Sequence, residues 1–203
     1  MERYLQATPF IDSDDPSIRQ KAQELTKGVE DPIARAKEIF YFVRDRIRYN
    51  VYTPKASPHD FRASTTLARG EGYCVQKAIL LTALCRAAGI PARLRFAIIR
   101  NHLMPPKLYE IMKSDIFPWH GYAEIFLNGR WVKATPAFDL EMCQKQGIIP
   151  VEFDGLNDAK FHPRDLYGRP HIEYLKDRGP FDDPPLEEIQ RALRERGLII
   201  DPA

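Results

Sequence analysis

Two side chains in this sequence combine a reactive type with a setting suited to covalent chemistry. Cys74 follows Arg69-Gly70-Glu71-Gly72-Tyr73, a loop whose glycines let the backbone bend sharply and come close to a ligand. It opens residues 74–88, a stretch that is apolar almost all round past Lys77, as expected of a buried central helix. A thiol in the first turn of such a helix meets free backbone N–H groups and the positive end of the helix dipole. Both favour the thiolate and are expected to lower the pKa from about 8.5. The same N–H groups can donate to an oxyanion forming on an attacked carbonyl. The chemistry this setting suits is nucleophilic attack on an acyl group.

A thiolate nucleophile needs a base beside it, and later an acid to protonate the leaving amine. Of the five histidines, His120 has the most rigid setting, because it opens a strand of a hairpin. Residues 120–127 and 130–135 flank Asn128-Gly129, the strongest two-residue turn signal. That turn pairs Leu127 with Arg130, Phe126 with Trp131, Glu124 with Lys133, Tyr122 with Thr135 and His120 with Ala137. His120, Tyr122, Glu124 and Phe126 then share a face with Trp131, Lys133 and Thr135, while Ala123, Ile125, Leu127, Val132 and Ala134 face the core. Thr135 falls diagonal to His120, roughly 7–8 Å between backbones, close enough for its side chain to orient the ring. His59 reads as a loop residue, His102 as part of a lid, and His162 and His171 as surface or capping residues in the tail. Cys85, mid-helix, reads as core, and Cys143 has no setting that assigns it a role.

The elements that must position this pair are legible from caps and periodicity. Asp14-Asp15-Pro16 opens a short helix that Gly28 stops. Asp31-Pro32 opens a second, with Ile33, Ala36, Ile39, Phe40, Val43 and Ile47 on one stripe, ending near Arg48. Residues 50–61 read as loop. Gly89 ends the cysteine helix, and Ile90-Pro91 turns the chain into a strand over 92–99. Residues 101–119 read as a proline-bearing insert with a short helix near 107–113, and a terminal helix spans 185–196. The 17 prolines, dense after Pro105 and around Pro180 to Pro185, predict an extended surface wrap there in place of long regular elements.

Bulk properties narrow the class. The 203 residues suit one generous domain, and 44% hydrophobic residues can bury a real core. A net charge of +2 with both signs interspersed calls for neither nucleic acid nor an anionic membrane. No 18-residue apolar run predicts a membrane span, and the first residues lack the charged-then-apolar pattern of a secretory signal. Three cysteines without a CxxC fit neither a disulfide framework nor a zinc site, so a cytoplasmic setting is the default expectation. No metal-binding spacing or nucleotide fingerprint is present, and no cofactor is expected.

These residues together resemble a known family. Gly72-Tyr73-Cys74-Val75-Gln76-Lys77-Ala78, followed by Gly89-Ile90-Pro91-Ala92-Arg93, is similar to the cysteine segment of the transglutaminase-like superfamily, in its bacterial-type members. His120-Gly121-Tyr122-Ala123-Glu124 and Trp131-Val132-Lys133-Ala134-Thr135-Pro136 resemble its histidine and acid segments, and the likeness covers residues 15–139. The resemblance implies an α+β, papain-like fold with N-terminal helices packed on an antiparallel sheet. The core would span residues 1–139, with a C-terminal extension over 140–203 packed on it. It also implies a Cys74 nucleophile with His120 as base and acid, acting on an amide or peptide bond by hydrolysis or transamidation. The family's aspartate position is Thr135 here. Thr135 is expected in the acid's place, holding His120 through its hydroxyl, with Asp139 folding back after Pro136 as an assisting alternative; Glu124 could serve, although Lys133 is its expected partner. The residues flanking the pair, Gly72, Tyr73, Trp119 and Tyr122, are expected to touch substrate. The missing aspartate leaves a second reading open, a module that binds a peptide or protein partner without turnover.

Overall fold

A computed structural model describes residues 1–199; residues 200–203 of the expected C-terminal extension lie outside the described residues. The first two helices start where the sequence marks them. α1 (Pro16–Thr26) is capped by Asp15, whose carboxylate accepts the Ser17 N–H, and α2 (Pro32–Arg46) by Asp31, which accepts that of Ala34. A two-residue strand β1 (Arg48–Tyr49) and a short helix α3 (Ala63–Arg69) follow. β2 (Glu71–Gly72) then pairs in parallel with β1 and delivers the chain to α4 (Cys74–Ala87).

Every residue of α4 from Cys74 to Arg86 is buried. No single neighbour can cover a helix that is apolar all round, so α1, α2 and α3 pack on it from one side and the sheet from the other. The polar residues on α4 are satisfied by backbone. Lys77 donates to the carbonyls of Arg44 and Ile47 at the end of α2, and Arg86 donates to those of Gln6, Ala92 and Asp182. Burial pushes the Lys77 ammonium down to about 7.

The main sheet contains β3 (Ala92–Asn101), β4 (Ile116–Leu127), β5 (Arg130–Ala134) and β6 (Ile172–Phe181), in the order β5-β4-β3-β6 and antiparallel throughout. Three further α-helices lie among the described residues: α5 (Pro106–Met112), α6 (Leu140–Gln146) and α7 (Leu186–Glu195). The β4–β5 register is the one the Asn128-Gly129 turn dictates, with both turn residues at positive φ. It ends at Ala123–Ala134, however. Beyond that point Thr135 turns its N–H to the carbonyl of Ala159 (3.0 Å), and Ala159 returns one to Lys133 (2.8 Å). Pro136 has no N–H to continue a ladder, so the expected pairs of Tyr122 with Thr135 and His120 with Ala137 do not form.

Two more expectations are corrected. β4 begins at Ile116, so the end of the 101–119 insert is strand. Pro118 is accommodated by a bulge: Ala97 faces His120 but Ile99 faces Phe117, leaving two residues of β4 opposite one of β3. The proline-bearing tail likewise supplies a regular element. β6 tolerates Pro180 because it is an edge strand, where a missing N–H costs no ladder bond on the outer side.

β4 crosses the start of α4 at Gly121. A Cβ added there would lie 3.0 Å from the Val75 Cα and 3.2 Å from both the Phe96 ring and the Val75 Cγ2. Backbone cannot give way as a flexible side chain can. Gly121→Ala is therefore expected to destabilise the protein by about 1–3 kcal/mol, the usual cost of overpacking. Urea denaturation checks this, and an unchanged midpoint would show that strand and helix are not in such close contact.

Candidate active site

Cys74 is the first residue of α4, and the loop before it is pinned by one buried side chain. Gln76 accepts the Tyr73 N–H (3.2 Å) and the Thr53 hydroxyl (2.7 Å), and donates to the carbonyls of Pro54 and Asp60 (2.9 Å each). The backbone N–H groups of Gly121, Val75 and Cys74 itself are directed at the sulfur and favour its thiolate. Burial outweighs them, and the thiol is pushed up to about 11. The lowered pKa expected from the helix position is thus overturned, because Cys74, only 7% exposed as a residue, loses more solvation than the nearby amides return. Lys55 favours the thiolate only weakly. Its own ammonium is spent on the carbonyls of Val51 and Thr53 and is pushed down to about 8.

His120 sits just past the Pro118 bulge, 1% exposed. Its ring is stacked on Tyr122 (centroids 5.6 Å, planes 22° apart) and flanked by Phe161 at 5.0 Å and Tyr174 at 6.0 Å. Nε2 has no hydrogen-bond partner, and burial pushes the imidazole down to about 3. Burial therefore disfavours the charged form of both groups, thiolate and imidazolium alike. The resting pair is neutral thiol and neutral imidazole.

None of the three residues expected in the acid's place hydrogen-bonds this ring. Thr135 is fully buried with an unpartnered hydroxyl; it lies close enough to the Tyr174 phenol to favour its charged form without meeting the geometry of a full hydrogen bond. Asp139 caps α6. One carboxylate oxygen accepts the Met142 N–H and the other that of Tyr49, both at 2.8 Å. Glu124 bridges Arg93 (2.7 Å) and Arg95 (2.9 Å), and Lys133 pairs instead with Asp158 at 2.9 Å. Two arginines on the neighbouring strand outcompete the single cross-strand lysine.

Cys74 and His120 nevertheless share the wall of one cavity of about 410 Å³. A second space of about 30 Å³ also reaches Cys74, lined by Tyr73 and Trp119 together with residues of α7. The other two flanking residues face neither space. Gly72 packs under the loop, where a Cβ would lie 3.1 Å from that of Gln76, and Tyr122 packs behind the His120 ring. His171, expected at the surface, is 1% exposed, with both ring nitrogens unpartnered and its pKa pushed down to about 4, because Phe138 and Phe161 enclose it. Three contributors escaped the sequence reading. Gly121 carries a signal, a glycine inside an alternating strand. Phe161 and Ile172 carry none, since only the tail's path brings them to the cavity.

The chain belongs to the transglutaminase-like superfamily, whose sequence profile matches residues 19–136. At the coarse level this is a family of thiol-dependent enzymes. A candidate cysteine protease from Cytophaga hutchinsonii superposes with a TM-score of 0.50 at 20% identity, over 66% of this chain and 40% of that one. The periplasmic domain of TgpA from Pseudomonas aeruginosa gives 0.45 at 23% identity, over 60% of this chain and 42% of that one. This chain therefore spans less than half the length of either neighbour. A comparison with functionally curated proteins found no match.

Both buried histidines bind protons more readily in the unfolded chain, where each titrates near 6.5, than folded, at about 3 for His120 and about 4 for His171. Their contribution is complete above pH 6.5 and drains away as pH falls to about 3, at about 1.4 kcal/mol per pH unit for each group while it titrates only in the unfolded state. His171→Phe is expected to flatten the decline of urea stability between pH 6.5 and 4. A decline as steep as that of the parent protein would show that His171 is not buried as a neutral ring.

Proposed function

We propose that the chain is a thiol-dependent hydrolase or acyltransferase acting on an amide or peptide bond, with Cys74 as nucleophile and His120 as general base and then acid. One observation carries the reading: Cys74, the first residue of the buried helix α4, lines the wall of one cavity together with His120. Because the resting pair is neutral, the thiol proton passes to the imidazole as the sulfur–carbon bond forms. As negative charge develops on the carbonyl oxygen, the N–H groups of Cys74 and its neighbours are placed to meet the oxyanion. The imidazole then protonates the departing amine, and water resolves the thioester. Hydrolysis is favoured over transamidation, since no second site for an amine is required. Thr135 and Asp139 have no direct part in these steps.

The alternative is a module that binds a peptide or protein without turnover. It is favoured by the absence, among the described residues, of a carboxylate hydrogen-bonded to His120, which leaves an imidazolium formed during reaction without a counter-charge from them. Acyl-enzyme formation separates the two readings. 4-Nitrophenyl acetate is expected to acetylate Cys74, detected by intact and peptide mass, while the buried Cys85 and Cys143 remain unmodified. His120→Phe, which keeps a ring in the aromatic enclosure, should slow that step about 100-fold. Equal rates in the parent and His120→Phe proteins would favour the binding module.

A further inference from the structure

The two spaces that meet at Cys74 differ in what they can admit. In one, α7 closes down. Ile189, Leu193 and Arg196 stand against Tyr73 and Trp119 and leave about 30 Å³, enough for a water or two. Gln190 fixes α7 there by donating to the carbonyls of Lys55 (3.1 Å) and Ala56 (2.8 Å). The other, the cavity of about 410 Å³, falls in the range of small-molecule sites, roughly 300–1,000 Å³. Its walls are chiefly apolar and aromatic, including Leu108, Phe138, Ile148, Phe161 and Ile172. Among the described residues, Lys107 is the one formally charged side chain lining it, and no carboxylate is among the lining residues.

The backbone around Cys74 is also committed. An extended peptide gains affinity by adding its main chain to a free strand edge. Here the carbonyls of Gly70 and Gly72 accept the N–H groups of Arg48 (2.9 Å) and Asn50 (3.1 Å), and the Tyr73 N–H is held by Gln76. β1 thereby occupies one edge of β2, immediately before Cys74.

We infer that the acyl donor is a compact amide whose acyl body is apolar and aromatic or branched, without positive charge, in preference to an extended polypeptide segment. This rests on the thiol chemistry proposed above. The Cys74 sulfur–carbon bond forms as the carbon–nitrogen bond breaks, and the thiol proton leaves on the amine by way of His120. Water then releases the carboxylic acid and restores the thiol.

Acylation of Cys74 by three 4-nitrophenyl esters tests the inference, each rate divided by that with free cysteine to remove intrinsic reactivity. The esters are acetate, phenylacetate and 4-(aminomethyl)phenylacetate, which adds a cationic group to the same body. Phenylacetate should react about tenfold or more faster than acetate, as burial of a ring predicts, and the cationic ester should lose that advantage. Met142→Trp, which places bulk on a half-buried position of the cavity wall, should bring the phenylacetate-to-acetate ratio toward one. Equal rates for acetate and phenylacetate, with dependence on His120 retained, would overturn the substrate class and leave the thiol chemistry standing. So would steady release of peptides from unfolded casein. Failure of every ester to acylate Cys74 would overturn both.

Discussion

The contact on which the rest depends is the crossing of Gly121 over the first turn of α4. Strand backbone lies against helix backbone there, with no room for even a methyl group between them. That closeness lets the Gly121 N–H reach the Cys74 sulfur and brings the adjacent His120 to the same cavity wall. The bulge at Pro118 immediately before it sets which way His120 faces, since one extra residue shifts the alternation of side chains across the sheet. α4 reinforces the crossing from beneath. Being apolar all round, it is stable only when enclosed, and the sheet is one of its walls.

The same enclosure dries the site and sets its electrostatics. Taking sulfur and imidazole out of water costs more than nearby amides and a distant ammonium return, so both groups rest uncharged. The aromatic rings of Tyr122, Phe161 and Tyr174 fix the orientation of His120 by packing where a carboxylate would have fixed it by charge. Such packing positions a ring without stabilising its protonated form, which places the neutral pair and the absent acid within one physical account.

Polar side chains around the site are spent on backbone. Gln76, Lys55, Lys77 and Asp139 each satisfy main-chain groups of loops or helix ends that lie near Cys74. Arg44 does the same for the Val151 carbonyl, where it also meets Asp45 and Glu152. This use of charge holds irregular segments in place, since buried carbonyls and N–H groups must find partners. It also leaves the large cavity nearly free of charge. The apolar character of that cavity and the rigidity of the loops around it have a common origin.

Local features were readable from the sequence because their causes are local. Asp15 and Asp31 announce their helices through caps, Asn128-Gly129 fixes the register beside it through positive φ, and the apolar circumference of residues 74–88 declares a buried helix with Cys74 at its mouth. The family motif around Cys74 and His120 likewise lies in contiguous residues, as the matched span 19–136 shows. Tertiary structure alone decided the rest. Asp139 went to Tyr49 and Met142, and Glu124 to two arginines, because partners distant in sequence won competitions that no local pattern displays. The tail's Phe161, Ile172 and β6 reached the site through long-range pairing. The protonation of Cys74 could not be read locally either. A helix start predicts a lowered thiol pKa, but solvation is lost to every neighbour that closes over the sulfur, and those neighbours are gathered only by the fold.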